Sequence, residues 1–295
     1  MTPLLAGFAP IEVDVDGIRI TGRMAGAGPP VLLLHGYPQT HVMWHQVAPI
    51  LAERHTVVLA DLRGYGGSAK PVAGADHAEY SKRAMAADQV AVMASLGFDS
   101  FAAVGHDRGA RVVHRMCLDH PGRVSRAAVL DIVPTRHVFA TVDTAFAMAY
   151  EHWFFLAQPP GFPERLIGAD PEFYLRAKLA AWSAAGHTFD ETAVDEYVAH
   201  FRDPAAVAAS CEDYRAAASI DLAHDEASNA GGDQVTCPLL VMWGTAGFVG
   251  RNYDVAAVWR SYATDVSTAA VVGSGHFLAE EAPAATTAAL TRFLG

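Results

Sequence analysis

One aspartate, in Gly105-His106-Asp107-Arg108-Gly109, sets what chemistry this chain can do. The run Phe101-Ala102-Ala103-Val104 before it reads as a short buried strand, and Arg108 to His120 after it has helical content. Asp107 therefore falls on a strand-to-helix turn, where small flanking residues let the backbone turn sharply and expose one side chain. A carboxylate is ionised at neutral pH, so it can attack a saturated carbon without a base to activate it. The product is an ester that water can cleave, whereas a serine would leave an inert ether. The competing reading is an ordinary helix-capping aspartate, since Asp is a favoured N-cap.

An ester intermediate needs help from other groups. His276, in Gly273-Ser274-Gly275-His276-Phe277, lies in a glycine-rich loop after the last expected strand and is placed to activate water. Asp131 follows Ala128-Val129-Leu130 at the C-terminal end of a strand, where functional groups collect, and would orient that histidine. Its competing role is that of a turn residue ending the strand. The other location for an acid, Gly244-Thr245-Ala246-Gly247, offers no carboxylate. The order Asp, Asp, His matches nucleophile, acid, histidine. Backbone N–H groups of Arg108 and of Tyr37, after His35-Gly36, are expected to form an oxyanion hole.

Arg108 and Arg111 are three apart on the expected helix and share a face. Two guanidinium groups beside the nucleophile would hold a carboxylate by charge-assisted hydrogen bonds. A surface pair fits less well, because the helix after such a turn packs inside, where unpaired arginines are expensive. Arg115 and Arg123 read as structural, paired with acidic neighbours. His41 and His45 sit four apart and could share a metal, but no third ligand is apparent, and this chemistry needs no metal or cofactor.

These residues need a scaffold. Ile11–Val15 and Ile18–Arg23 flank Asp16-Gly17 as a β-hairpin. Val31–Leu34, Thr56–Ala60, Arg126–Leu130, Pro238–Trp243 and Ala269–Val272 are short runs with strand character, and Pro283–Leu294 reads as a closing helix. Strand-helix alternation implies an α/β fold with a doubly wound, mostly parallel sheet. From Pro134 to Asp233 the chain turns aromatic-rich and helical, punctuated by Pro159-Pro160-Gly161 and Asp203-Pro204. The expectation is a core formed by 1–133 and 234–295, with 134–233 inserted as a helical cap.

Across the 295 residues, 18% are charged and 52% hydrophobic, which is globular rather than disordered. A net charge of -11 argues against nucleic-acid or anionic-membrane partners, and an anionic substrate would need local positive charge. Cys117, Cys211 and Cys237 show no metal spacing, and their odd number fits reduced thiols. No secretory signal or membrane-spanning run is evident, so a cytoplasmic location is expected.

The chain resembles the haloacetate (fluoroacetate) dehalogenases of the α/β-hydrolase superfamily. The matching segments are His35-Gly36-Tyr37-Pro38-Gln39, Asp61-Leu62-Arg63-Gly64-Tyr65-Gly66-Gly67-Ser68, Gly105-His106-Asp107-Arg108-Gly109-Ala110-Arg111, Leu130-Asp131-Ile132-Val133-Pro134-Thr135, Glu151-His152-Trp153, Cys211-Glu212-Asp213-Tyr214-Arg215 and Gly275-His276-Phe277. The resemblance implies that Asp107 displaces halide from a small haloacid, that Arg108 and Arg111 hold its carboxylate, and that His152, Trp153 and Tyr214 cradle the halide. It also implies a homodimer. Imidazole N–H, indole N–H and phenol O–H are all donors, although aromatics in a helical insertion mostly serve packing. Two departures bear on halide preference and substrate size. Tyr37 replaces the family's usual phenylalanine and is expected to bring a hydroxyl into the pocket. Arg136-His137-Val138-Phe139 replaces a Tyr- and Trp-rich stretch. An epoxide hydrolase shares the Asp, Asp and His set but needs two cap tyrosines and usually has tryptophan where Arg108 stands. A haloalkane dehalogenase also favours that tryptophan. A non-catalytic ligand receptor would have lost one of the reacting groups, and none is missing.

Overall fold

The computed structural model describes residues 4–295, so residues 1–3 of the expected core segment lie outside the described residues. The strands are β1 (Ala9–Val15), β2 (Ile18–Ala25), β3 (Pro30–Leu34), β4 (Thr56–Ala60), β5 (Phe101–His106), β6 (Val124–Leu130), β7 (Leu239–Gly244) and β8 (Val266–Val271). They form one sheet in the order β1-β2-β4-β3-β5-β6-β7-β8. β2 pairs antiparallel with β1 and β4, and every other ladder is parallel. The β1–β2 turn forms where expected. Asp16 and Gly17 both take the left-handed conformation (φ 51° and 83°) that a two-residue hairpin turn requires.

The central strands are short apolar runs because both sheet faces are covered. Leu32, Leu33, Leu34 and Val104 have no exposed surface, and each such side chain contributes about 1.5–3 kcal/mol by leaving water. β8 differs from expectation, beginning at Val266 rather than Ala269 and ending at Val271. It is the edge strand, and its first residues are exposed or half-buried, so Val266-Ser267-Thr268 gives no apolar run to read.

The strand order turns at β3, with β4 on one side and β5 on the other. A crevice forms outside the carboxyl ends of strands at such a reversal. β3 runs into His35-Gly36-Tyr37, β5 into Asp107, β6 into Asp131, and the loop after β8 carries His276. Between β6 and β7 the chain forms eight helices: Thr135–Ala140, Thr144–Ala149, His152–Leu156, Phe162–Gly168, Pro171–Trp182, Glu191–Phe201, Pro204–Ala217 and Ile220–Gly231. Asp203-Pro204 proves to be a helix start, with the Asp203 side chain accepting the Ala205 N–H and Pro204 in the first turn.

Two glycines permit the close approaches on which the site depends. A Cβ at Gly109 would lie 2.4 Å from the His35 carbonyl oxygen and 2.7 Å from that of Leu34, so the helix can cross the end of β3 only without one. A Cβ at Gly36 would lie 2.5 Å from Asp107 Cβ.

Candidate active site

Asp107 sits at φ 47°, ψ -115°, a conformation that costs a non-glycine residue strain. The tight crossing of β5 into the helix Arg108–Asp119 enforces it. Its carboxylate does not cap that helix, which disposes of the capping reading. Instead Oδ2 accepts the Tyr37 backbone N–H at 2.9 Å. Arg108 opens the helix, so its N–H is one of the four that lack an intrahelical acceptor. Burial alone would raise the Asp107 pKa, but the charges of His276, Arg108 and Arg111 outweigh it and hold the group below its ordinary value. The carboxylate is therefore ionised.

Asp131 also takes a left-handed conformation, with φ 54°. Its Oδ1 accepts the Gly244 N–H at 3.0 Å, and its Oδ2 accepts His276 Nδ1–H at 2.7 Å. That hydrogen bond leaves Nε2 as the acceptor, and the His276 side chain lines the reaction cavity. Burial works against the imidazolium, yet Asp131 and then Asp107 raise the His276 pKa above its ordinary value. Glu281, unmarked in the sequence, fixes this loop by accepting N–H groups from Gly275 and Phe277 at 2.7 Å and from Ala184 of the helical insertion at 2.8 Å.

The arginines differ from expectation. Arg108 does not offer an open fork, because Nε and Nη2 hold the Asp213 carboxylate at 2.9 and 2.6 Å, and Nη2 also reaches the Asp213 carbonyl oxygen at 2.9 Å. Only Nη1 is left without a partner. The reason is the cost of an unpaired buried charge. Arg108 has no exposed surface, and the insertion supplies the counter-charge. Lys82 Nζ and Tyr65 Oη, at 2.6 Å, also donate to Asp213, which keeps its pKa far below the usual carboxylate range despite burial. No local pattern marks this pair, since the partners are 105 residues apart. Arg111 Nη1 donates to the Val133 carbonyl and Thr135 Oγ1 at 3.0 and 3.1 Å, leaving Nε without a partner. Burial first, and Arg108 next, lower its pKa to about 10, so it remains cationic at neutral pH.

The central cavity holds about 10 Å³ of free space, room for about one water. Its wall includes Asp107, Arg111, His152, Trp153 and His276, together with Tyr150, Trp182 and Val138, which had not been singled out as site residues. Burial lowers the His152 pKa to about 3, so the ring is neutral, and its Nδ1 has no partner. Trp153 lies under the Arg111 guanidinium, 4.6 Å from Cζ to the ring centre, and Tyr214 lies 4.2 Å from Arg108 Cζ. Arg108, Tyr214 and Tyr37 are not part of the cavity's immediate wall, although Arg108 and Tyr214 stand close enough to Asp107 to interact with its charge. The Tyr37 hydroxyl thus stays out of it, contrary to expectation. The ring packs among His152, Trp182, Phe201 and Tyr214, with its hydroxyl beside that of Tyr174. Val138 stands where a larger side chain would narrow the cavity further.

Other expectations resolve locally. Arg115 pairs with Asp119 and Arg123 with Asp99, at 2.8 and 2.9 Å. His41 Nδ1 faces Asp61 and His45 Nδ1 faces the Val42 carbonyl, so the two rings address different partners.

Asp213→Asn should leave Arg108 with uncompensated buried charge and Lys82 with Asp221 alone, and cost about 3–5 kcal/mol of stability. Urea unfolding measures this directly. A midpoint equal to wild type would show that the pair does not anchor the insertion.

Residues 29–283 match the family model described as the α/β-hydrolase fold. A fluoroacetate dehalogenase from Burkholderia sp. is 48% identical over 99% of this chain and 95% of its own length. A soluble epoxide hydrolase from Corynebacterium sp. (strain C12) is 33% identical over 92% of each. Among solved structures, a protein from Nostoc sp. PCC 7120 described as a candidate α/β hydrolase superposes with a TM-score of 0.96 at 53% identity, covering 98% of this chain and 99% of that one. No helix among the described residues is long and apolar enough to cross a membrane. Similarity over nearly its whole length shows that this chain belongs to the haloacetate dehalogenases of the α/β-hydrolase superfamily, enzymes that hydrolyse carbon–halide bonds.

Proposed function

We propose that the enzyme hydrolyses short 2-halo carboxylates, converting fluoroacetate or chloroacetate to glycolate and halide. The observation that carries this reading is the pair of buried guanidinium groups, each with an unpartnered N–H, whose positive charge acts on Asp107. Leaving such donors unsatisfied is costly, and a substrate carboxylate would satisfy both. Arg108 Nη1 gives one hydrogen bond, whereas Arg111 offers Nε and Nη2, since its protein hydrogen bonds all come from Nη1.

Asp107 Oδ2 is held by Tyr37, so Oδ1 attacks. The new C–O bond forms as the C–halogen bond breaks, and the electron pair leaves with the halide. His276 Nε2 then takes a proton from water as its oxygen adds to the Asp107 ester carbonyl. The resulting oxyanion faces the Tyr37 and Arg108 N–H groups. Collapse expels the glycolate oxygen, which takes the proton from His276 Nε2 to become the hydroxyl, and the proton left on the new carboxyl group passes to solvent as the carboxylate is restored. His152, Trp153 and Tyr214 donate to the departing halide. A neutral His152 suits this role, since it donates without adding a third cation beside Arg108 and Arg111. The family resemblance adds a homodimer to the proposal, and the cysteine usage adds a cytoplasmic location.

Hydrolysis of a small epoxide is the second reading. Tyr150 and Tyr214 both stand close enough to Asp107 for its charge to act on them, and two cap tyrosines are what that reaction uses. Diol formation from an uncharged epoxide, with no halide release from chloroacetate, would favour it.

His276→Asn should stop the second step, so chloroacetate should add the mass of a carboxymethyl group to Asp107, read by mass spectrometry of its peptide. An unmodified Asp107 after exposure to substrate contradicts the covalent route.

Trp153→Phe removes one donor and keeps most of the packing. Fluoride concentrates charge most, so turnover of fluoroacetate should fall about 10- to 100-fold more than that of bromoacetate, the scale of one lost transition-state hydrogen bond. Equal losses with a lower melting temperature would make Trp153 a packing residue.

A further inference from the structure

The reaction cavity has a larger neighbour. This second cavity measures about 280 Å³ and is lined by Met148, Tyr150, Lys178, Trp182, Phe248 and Arg251, among others. Tyr150, Trp182 and His276 line both cavities, so these side chains are the partition between them. The Tyr150 and Trp182 rings stand 6.4 Å apart at 87°, and Tyr150 leans on Phe248 at 4.7 Å. Tyr150 and Trp182 belong to the insertion, whereas Phe248 follows β7. The partition is thus built across the seam between helices and sheet.

The charge of this outer cavity is unlike that of the whole chain. Lys178 pairs with Glu151, and their charges cancel. Arg251 is exposed, its Nε donates only to the Gly247 carbonyl at 3.3 Å, and it makes no ion pair among the described residues. The cavity therefore carries a net positive charge on a chain of net charge -11. An anion is repelled by such a surface in general and drawn only to a local cation within about a Debye length, roughly 10 Å at 0.1 M salt. An apolar substrate would have no use for it.

We propose that this outer cavity is the access chamber for a small carboxylate, which Arg251 draws in before it passes between Tyr150 and Trp182 to Asp107. The inference rests on the haloacid reading above and assigns the route to that site. The chamber also gives the product carboxylate a way out.

Substitutions at two positions outside the reacting groups test it. With chloroacetate at about 10 mM ionic strength, Arg251→Gln should lower kcat/KM about three- to tenfold and leave kcat unchanged, and Arg251→Glu should lower it further. The difference should vanish at about 0.5 M salt. Ala181→Trp, at an exposed position on the chamber wall, should obstruct the route and lower kcat/KM for every haloacid at an unchanged melting temperature. A wild-type kcat/KM in either Arg251→Gln at low salt or Ala181→Trp overturns the proposal, as does a loss confined to kcat. If the wild type releases halide from no 2-halo carboxylate, the haloacid reading falls and acetate binding decides the chamber. Quenching of tryptophan fluorescence by acetate with several-fold weaker affinity in Arg251→Gln sustains the chamber, and equal affinity overturns it.

Discussion

Asp107 must stay ionised in a cavity with room for about one water, and burial alone works against that. Most of the surrounding structure can be understood as the means by which this charge is kept. Two guanidinium groups, and His276 when it carries a proton, supply the compensating positive field, and the Tyr37 N–H supplies a direct hydrogen bond. Water would do the same work but would also solvate the nucleophile and slow its attack. Fixed protein dipoles and charges need no reorganisation when the reaction occurs.

The compensating charges must themselves be compensated. Arg108 is fully buried and would be destabilising alone, so Asp213 binds two of its nitrogens and leaves the third without a partner. Asp213 comes from the insertion, whereas Arg108 and Lys82 come from helices that pack on the sheet. One ion cluster therefore links the inserted helices to the core. Glu281 does the same on the other side, joining the His276 loop to Ala184 through backbone hydrogen bonds. The distance between nucleophile and histidine is thus set by the same contacts that seat the insertion. Their loss would harm geometry and stability together.

The sequence made some of this legible and hid the rest for physical reasons. Val57–Ala60 and Phe101–Val104 could be read because strands covered on both faces carry nearly uninterrupted apolar runs. Asp107 could be read because an aspartate between glycines at a strand-to-helix turn has few structural uses. Asp131 followed from its place at a strand end. What was hidden depends on distant partners. The pairing of Arg108 with Asp213 has no local pattern, so one of two apparently open forks turned out to be a single spare nitrogen, while Arg111 keeps Nε and Nη2. Tyr150 and Trp182 look like the packing aromatics that surround them until the fold puts them on the cavity wall. Tyr37 misled in the opposite sense. Its position next to the glycine suggested a pocket hydroxyl, but its backbone faces Asp107 while its ring packs with the insertion.

The central claim is that Asp107 itself delivers the oxygen that replaces the halide, and oxygen isotope in a single turnover tests it most directly. With enzyme in excess over chloroacetate in ¹⁸O-water, the account predicts that the glycolate hydroxyl carries ¹⁶O from Asp107. One ¹⁸O should then appear in the Asp107 carboxylate, because water adds to the ester carbonyl carbon. Glycolate labelled in its hydroxyl, with an unlabelled Asp107, would mean that water attacks the substrate carbon directly and would contradict the account.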